Sequence, residues 1–143
     1  MIGMIDLAQL KLVKSWKRNS PSANFPMSLD IQNNRAFIGY RHPARLVVLD
    51  MTTCKEITSN NMVRDVDDLY YDNSNKRVYI SGGGGYINIF QQESSNTFTQ
   101  ITSMHTRSAA RTSLLIPQLK LFVLAERAVG GNRAALPVYN ISR

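Results

Sequence analysis

Apolar residues alternate with polar ones along most of the chain, in short runs separated by clusters of Asn, Asp, Gly, Ser and Pro. Alternation with a period of two is typical of half-buried β-strands, and no stretch keeps a helical spacing for three full turns. The pattern therefore predicts an all-β protein. The expected strands are Met4–Leu7, Leu12–Trp16, Pro26–Ile31, Ala36–Tyr40, Arg45–Asp50, Lys55–Ser59, Asp67–Tyr71, Arg77–Ser81, Tyr86–Gln91, Thr97–Ser103, Arg111–Ile116, Lys120–Ala125 and Ala135–Ile141.

These strands belong to an internal repeat. The segment Asp30–Tyr40 aligns with Asp72–Gly82, 42 residues further on, and Gln118–Leu124 repeats the pattern about 43 residues later. Each copy is a strand, a polar turn suited to a tight hairpin, and a basic residue that opens a second strand. A third strand follows in every copy, and a fourth in two of them. A period of 40 to 45 residues built from four antiparallel strands is typical of a β-propeller blade.

Assigning the strands to blade positions A to D, from the hub outward, gives the domain organisation. The segment Met4–Trp16 repeats the pattern of Val48–Ser59, so the chain reads CD, ABCD, ABCD, ABC. We expect one partial propeller domain over residues 1–143. Its parts are C and D strands over 1–18, complete blades over 24–60 and 65–104, and A, B and C strands over 108–143.

At these positions the chain resembles the YncE-like, YVTN-type β-propeller family. The resemblance implies a propeller fold. Members of that family usually look like seven-bladed propellers of about twice this length and are often exported, whereas this chain resembles only about the last three blades. The segments that carry the resemblance are Phe25–Asp30, Arg41–Asp50, Asp65–Asp72, Lys76–Gly82, and Ala110–Leu114 with Pro117.

Three blades do not close a ring, because closed propellers have about four to eight. The sequence therefore predicts a homodimer that forms a six-bladed ring, in which the D strand Lys11–Trp16 is added beside Ala135–Ile141 of a second copy. A five-stranded hybrid blade, a seven-bladed ring with two partial blades and a polymerising fragment are the alternatives. The candidate interface residues are Leu12, Val13, Trp16, Val138 and Tyr139.

Charge and cysteine content narrow the range of partners. The net charge is +7, and most of the excess of basic over acidic residues lies in the C-terminal half, to which Arg143 contributes. Because no run of five basic residues occurs, a nucleic-acid partner is not expected. The single Cys54 excludes an intrachain disulfide framework. Without a signal peptide or an apolar run long enough to span a membrane, we expect a cytoplasmic protein with no membrane insertion.

Function in a propeller is expected near the channel, where loops and inner strands meet. Three of the candidates, Asp65, Asp67 and Asp68, form an acidic cluster with oxygen ligands for Ca²⁺. The cluster lacks the spacing of a calcium loop, so we favour backbone hydrogen bonds and neutralisation by Arg64 or Arg111, and no cofactor is predicted. The candidates expected to face the channel or a ligand are Arg41, Arg45, Arg64, Asp67, Asp68 and Arg111.

The other chemistry-bearing motifs are weak. Gly82–Gly85 lacks the Lys-Ser/Thr ending of a phosphate-binding loop, so it is expected to be a turn. His42 and His105 have no companions at metal-ligand spacing and are expected in loops. The sequence therefore favours a binding or scaffold module for an unknown small molecule or protein. The alternative is a metal-dependent, lactonase-like hydrolase at the central channel, and whether the chain is an enzyme stays open, with a non-enzyme favoured.

Overall fold

The computed structural model describes residues 1–17 and 20–142, so the expected boundary at residue 18 and the charge of Arg143 lie outside the described residues. The described chain is built from short β-strands and one 3₁₀ turn over Pro117–Leu119. The strands are β1 (Ile2–Asp6), β2 (Lys11–Trp16), β3 (Ser22–Asp30), β4 (Arg35–His42), β5 (Ala44–Asp50), β6 (Glu56–Asn61), β7 (Val66–Asp72), β8 (Arg77–Gly82), β9 (Tyr86–Ser94), β10 (Thr97–His105), β11 (Ser113–Ile116), β12 (Leu121–Leu124) and β13 (Val138–Asn140).

The strands form four antiparallel sheets in chain order. Two of them are complete four-stranded meanders, β3-β4-β5-β6 and β7-β8-β9-β10, which we call blade 1 and blade 2. The β1-β2 hairpin precedes blade 1, and the three-stranded sheet β11-β12-β13 follows blade 2. The prediction of an all-β fold with four-stranded, propeller-type blades is thus confirmed. The part of the chain that the structure describes includes no helix long and apolar enough to cross a membrane.

The turns between the first two strands of each blade repeat one arrangement. In blade 1 the Asn33 side chain donates to Asp30 Oδ2 at 2.7 Å, and in blade 2 Asn75 donates to Asp72 Oδ2 at 2.7 Å. The next residue is left-handed in both turns, at Asn34 and at Lys76, with φ of 58° and 54°. An Asp that caps its own turn and a left-handed residue after it produce a tight reversal. The repeat seen in the sequence is therefore a repeat of turn geometry.

Blades 1 and 2 pack face to face over one hydrophobic core. Phe37 of β4 lies at its centre, with ring centroids 4.9 Å from Tyr71 and 5.3 Å from Phe98. Leu46 and Val48 of β5 join it from blade 1, and Val78, Ile80 and Phe90 from blade 2. Because successive strand residues point to opposite faces, Tyr79 turns away from this core. It joins a second core, between blade 2 and the β11-β12-β13 sheet, that includes Ile87, Phe122, Leu124 and Ile141.

The β1-β2 hairpin covers only part of the other face of blade 1. Ile2 packs against a third core formed by Ile38, Tyr40, Val47 and Leu49. Further toward the hub, Met27 and Leu29 of β3 are 56% and 44% exposed, and we call this surface the β3 open face. At the opposite end of the stack, Leu114 and Val138 are 54% and 56% exposed, and we call this surface the β11–β13 open face. Two apolar sheet faces are therefore left without a neighbour in the described chain.

All thirteen predicted strands are present, but each differs from its predicted range by one to four residues at one end or both, the largest shift being the start of β3 at Ser22 instead of Pro26. Three of the other differences have a structural reason or a bearing on the site. Strand β9 continues to Ser94 instead of ending at Gln91. Strand β11 starts at Ser113, whereas Arg111 lies before it, where its side chain contacts Asp65. Strand β13 spans only Val138–Asn140 because Pro137, just before it, has no N–H to donate to a ladder, although its carbonyl accepts from Leu124 N at 3.0 Å.

Candidate functional site

The hub side of the molecule is formed by β3, β7 and β11, the innermost strands of successive sheets. Strand β7 lies between the other two. Its Tyr71 N–H donates to Ser28 Oγ of β3 at 3.0 Å, and its Asp68 Oδ2 accepts from Ser113 N of β11 at 2.6 Å. Polar contacts between neighbouring inner strands thus hold the hub together. Side chains from three sheets can meet at either end of these strands.

At one end of the hub, two arginines and two aspartates form an ion-pair cluster, which we call the hub cluster: Arg41, Asp65, Asp67 and Arg111. Arg111 Nη1 is 3.0 and 2.8 Å from the two Asp65 oxygens, and its Nε is 2.8 Å from Asp67 Oδ2. Arg41 pairs with Asp67 and lies 3.4 Å from Asp65 Oδ1. Both carboxylates therefore have a cation on each side, and the contacts to Asp65 and Asp67 raise the pKa of Arg111.

Arg41 is fixed by contacts from both sides of its guanidinium. It lies near the end of β4, just before the two-residue turn to β5, so its side chain projects toward blade 2. Its Nε donates to the Val66 carbonyl at 3.0 Å, and its plane lies 4.0 Å from the centroid of the Phe25 ring. Backbone, carboxylate and aromatic contacts together hold the cation in one place.

The glycine turn supports the cluster. Asp65 is left-handed, with φ of 55°, and a Cβ added at Gly83 would overlap its carboxylate. The amide groups of Gly83, Gly84 and Gly85 donate to the carbonyls of Asp65, Arg64 and Gly82 at 2.8 to 3.0 Å. These amides are therefore not available to an anion, and the segment is a close-packed turn, not a phosphate cradle.

Asp68 is separate from the hub cluster because adjacent strand residues point to opposite faces. Burial raises the pKa of its carboxyl group, and the charge of Asp67 acts in the same direction, against the hydrogen bond from Ser113 N. Next to it, Ser81 Oγ lies 2.8 Å from Ser113 Oγ and 2.6 Å from the Arg111 carbonyl, while Tyr70 donates to the Ser113 carbonyl at 2.6 Å. This network joins blade 2 to the β11-β12-β13 sheet.

Two open clefts flank Asp65. One has a volume of about 590 Å³, and its lining includes Arg41, His42, Arg64 and Ser108. The other has a volume of about 880 Å³, and Arg111, Thr112, Glu126 and Arg127 are among its lining residues. The exposed Arg64 side chain faces the first cleft without a partner in the described chain. The hub cluster thus separates two solvent-filled spaces, each with cationic groups on its wall.

The candidate residues therefore divide into three groups. Arg41, Asp67 and Arg111 meet in the hub cluster together with Asp65. Arg64 borders the adjoining cleft. Asp68 lies on the opposite face of β7, and Arg45 lies on β5, opposite Tyr40 and Asn61 in the ladder, away from the cluster.

The three aspartates do not form a shared oxygen cage. Two of them are neutralised by arginines and the third accepts from a backbone amide. Among the described residues, no group of three or more His, Cys, Asp or Glu side chains could hold a metal ion. The arrangement is the salt-bridged alternative for Asp65 and Asp67, with Arg41 and Arg111 as the cations where the sequence had suggested Arg64 or Arg111.

One contribution to the site has no signal in the repeat. Glu126 follows β12, and its Oε1 accepts from Arg107 N at 3.3 Å while its Oε2 lies 3.2 Å from Arg107 Nη2. The Arg107 guanidinium also donates to the carbonyls of Arg127 and Arg133 at 3.2 and 2.9 Å. Glu126 lies outside the repeated strand pattern, so only the structure shows that it lines the larger cleft.

The candidate interface residues lie at the two ends of the stack. Leu12 and Val13 are exposed on the hairpin, and Trp16 is half-buried there. At the other end Val138 is exposed, and Tyr139 is half-buried against the second core. Both sets are accessible, and within one chain blades 1 and 2 lie between them.

Comparison with known proteins supports the fold. No family model and no curated protein matches the sequence. The hydrazine synthase of Kuenenia stuttgartiensis matches over 96% of this chain and 39% of its own, with a TM-score of 0.81 and 13% identity. The Dos1 propeller matches over 97% of this chain and 36% of its own, with a TM-score of 0.68 and 12% identity. This chain thus spans less than two fifths of each, and at such identities the likeness shows a propeller-like fold alone.

Proposed function

We propose that this chain is a propeller-type binding or scaffold module of the YVTN-like kind, and that its ligand binds at the hub cluster. The observation that carries the proposal is that Arg41, Asp65 and Arg111, from three successive sheets, meet at one end of the hub between two open clefts. A fixed, charge-balanced cluster beside an unpaired Arg64 suits a partner with acidic groups, because the Arg64 guanidinium can donate two parallel hydrogen bonds to one carboxylate or phosphate.

We further propose that the chain acts as a homodimer. The β3 and β11–β13 open faces expose apolar side chains, and an exposed apolar sheet face marks an interaction surface. A second copy related by a two-fold axis covers both at once and forms a six-bladed ring. Strand β1 and the partner's β13 share one blade position, so the joined blade has five strands or loses one of these two. We place this assembly in the cytoplasm, without membrane insertion.

The binding proposal is tested by thermal melting with chosen probes. Inorganic phosphate, succinate and poly-glutamate are added at matched ionic strength to the protein and to its Arg64→Ala variant, with duplex DNA as a further arm. A specific site raises Tm with probe concentration, and the variant reduces that shift. A shift with none of the acidic probes, or an equal shift in the variant, would count against an acidic ligand at Arg64.

The dimer is tested by light scattering on the purified chain. A mass near twice 16.1 kDa supports closure by a second copy. A mass that stays at 16.1 kDa at high micromolar concentration would contradict it. The two tests are independent, since a monomer can still bind an anion.

A further inference from the structure

A groove on the outer part of blade 2 has no covering strand in the described chain. It has a volume of about 380 Å³ and runs between β8, β9 and β10 on one side and β13 on the other. Its floor on blade 2 includes the apolar Ile87, Ile89 and Met104, and Arg77 and Tyr79 are among the polar residues of its lining. The groove lies where the fourth strand of the sheet after blade 2 would pack.

The molecule contains a filled version of the same groove. Between blades 1 and 2 the space is occupied by β10, whose Phe98 packs edge-on against Phe37 at 5.3 Å. Arg35 closes the end of that groove. Its Nε donates to the Ser95 carbonyl at 3.0 Å and its Nη2 to Asn96 Oδ1 at 2.7 Å, so it holds the turn that leads into β10.

Arg77 and Tyr79 stand 42 residues after Arg35 and Phe37, at the same blade positions. Arg77 keeps a contact within its own blade, from Nε to Gln91 Oε1 at 3.0 Å, but it reaches no turn of another blade in the described chain. Tyr79 is 1% exposed. The Arg77 and Asn75 side chains lie close enough to its hydroxyl oxygen to oppose the rise in its pKa that burial causes, but the hydroxyl proton has no acceptor within hydrogen-bond distance in the described chain. A buried hydroxyl without a partner is costly, so both groups point to a missing acceptor.

The β1-β2 hairpin has a turn that is capped in the same way as the turn before β10, although four residues instead of two separate its closing pair. In blade 2 the turn before β10 is capped by Ser94 Oγ, which accepts from Asn96 N and Thr97 N at 3.2 and 3.1 Å. In the hairpin Asp6 Oδ1 accepts from Ala8 N and Gln9 N at 2.8 and 3.0 Å. The carbonyl of Leu7 therefore corresponds to the Ser95 carbonyl that Arg35 holds.

The hairpin also has an apolar residue, Leu12, at the position that corresponds to Phe98 of blade 2. Leu12 is the first residue after the pair that closes the hairpin turn, as Phe98 is in blade 2. It pairs with Ile5. The side chains of Ile2 and its cross-strand partner Trp16 lie on the face toward blade 1. Alternation along β1 places Ile5 on the other face, and the bulge at Val13 brings Leu12 to that face too, where its Cδ1 lies 3.1 Å from the position of a Cβ at Gly3. Ile5 and Leu12 are both 59% exposed, facing away from the rest of their own chain.

We propose that the groove binds the β1-β2 hairpin of a second copy, with Leu12 packed on Tyr79 and Arg77 donating to the carbonyl groups of the turn. Asp6 Oδ2 and the Leu7 carbonyl are the acceptors for Arg77 and the Tyr79 hydroxyl. The inference rests on the proposed dimer and goes beyond it, because it assigns which surfaces meet and which arginine closes the contact.

Cross-linking tests the pairing directly. Leu12→Cys and Thr102→Cys are combined in a Cys54→Ser background and treated with a short bismaleimide. Blades 1 and 2 lie between these positions within one chain, so a cross-link at this pair joins two chains. We expect covalent dimers from this pair and none from Leu12→Cys with Asn73→Cys, because Asn73 is exposed on a turn outside the groove.

A matched arginine pair supplies the second measurement. Arg77→Ala should raise the dimer dissociation constant about tenfold or more, because the hydrogen bonds from this charged group to the partner's turn are lost together with its intrachain contact to Gln91. Arg35→Ala should lower Tm and leave the dissociation constant within about twofold, since its contacts lie within one chain.

The outcomes separate the two proposals. Suppose that the dimer is stable, that Leu12→Cys and Thr102→Cys give no cross-link, and that Arg77→Ala leaves the dissociation constant unchanged. This result would overturn the proposal that the groove binds the hairpin, while the proposed dimer would stand. A monomer would overturn both and assign the groove to another partner.

Discussion

Two acidic side chains in the inter-blade contacts have pKa values shifted in opposite directions, although burial acts on both in the same direction. Asp30 is 1% exposed, and although burial by itself raises its pKa, hydrogen bonds from Gln92 and Asn33 hold the pKa below its usual value. The pKa of Asp68 is raised by burial, because one backbone amide and no cation compensates for the lost water. The number of donors around each carboxylate decides the sign.

Asp30→Asn and Asp68→Asn should therefore change the pH dependence of stability in opposite directions. A lowered folded pKa stabilises above the unfolded value, about 3.9, and that contribution is lost as the pH falls through the folded pKa. Asp30→Asn should thus be less stable by about 1–3 kcal/mol at pH 7, since hydrogen bonds to a charge are lost, and the deficit should narrow toward pH 3.

For Asp68 the sign is reversed. Its raised pKa stabilises the fold below the unfolded pKa, and this contribution is lost as the pH rises through the folded value. Asp68→Asn keeps an acceptor for Ser113 N and should be at least as stable as the parent chain at pH 7. Urea denaturation from pH 3 to 7 measures both variants. A parallel pH profile for the two would contradict the assignment.

Gly83→Ala tests how closely the glycine turn approaches the hub cluster. The new Cβ would overlap the Asp65 carboxylate, which Arg41 and Arg111 hold in place. Overpacking of this kind costs about 1–3 kcal/mol. Gly84→Ala is the control, because its Cβ would meet its nearest neighbours at 3.3 Å. If both variants lower the denaturation midpoint by the same amount, the Cβ at Gly83 carries no extra cost and the turn accommodates it.

At the scale of elements, the alternation of apolar residues was enough to locate the strands. Both faces of β4 and β5 are buried, so Phe37 and Ile38, adjacent in sequence, enter different cores. What the pattern did not contain is the length of β13, because Pro137 interrupts the ladder and Ala135, before it, pairs with Glu126 only as an isolated bridge. Nor did it contain the position of Glu126, which depends on a loop outside the repeat.

The same reasoning explains which parts of the site were predictable. Arg41, Asp67 and Arg111 were identified because they follow or open repeated strands, where all blades bring side chains to the hub. Alternation along β7 already separates Asp67 from Asp68. That Asp65 shares the two arginines with Asp67 depends on the left-handed backbone of Asp65 and on the irregular register between Val66 and Asp68, which sequence spacing does not contain.

Phe37→Ala should remove most of the cohesion between blades 1 and 2. The ring is fully buried between Tyr71 and Phe98, and the cost of such a cavity is about 3–5 kcal/mol. Phe25→Ala is the matched control, because Phe25 is exposed and loses chiefly its contact with Arg41. Thermal or urea unfolding compares them. A loss for Phe37→Ala no larger than that for Phe25→Ala would show that the blades do not depend on this core.

At the scale of the whole molecule, the β3 open face and the β11–β13 open face lie at the two ends of the stack of sheets. The repeat indicates how these two apolar faces would pack against each other. Counted from the pair that closes the turn after the innermost strand, Leu114 occupies the blade position of Ser28, and Leu29 the position of Tyr71. Ser28 and Tyr71 are in contact between blades 1 and 2, where Tyr71 N–H donates to Ser28 Oγ. In a ring closed by a second copy, Leu114 of one chain therefore lies beside Leu29 of the other.

A charge exchange across that contact tests closure of the ring. Leu114→Glu and Leu29→Lys, each prepared alone, place an unpaired charge in both interfaces of a two-fold dimer and should be mainly monomeric. Mixed together, they form one interface with a Glu–Lys pair and one that is unaltered, so the heterodimer is favoured over either homodimer. Native mass spectrometry of the mixture, with Leu114→Glu and Leu29→Glu as the like-charge control, distinguishes the species. Equal heterodimer yields from the two mixtures would show that these faces do not meet.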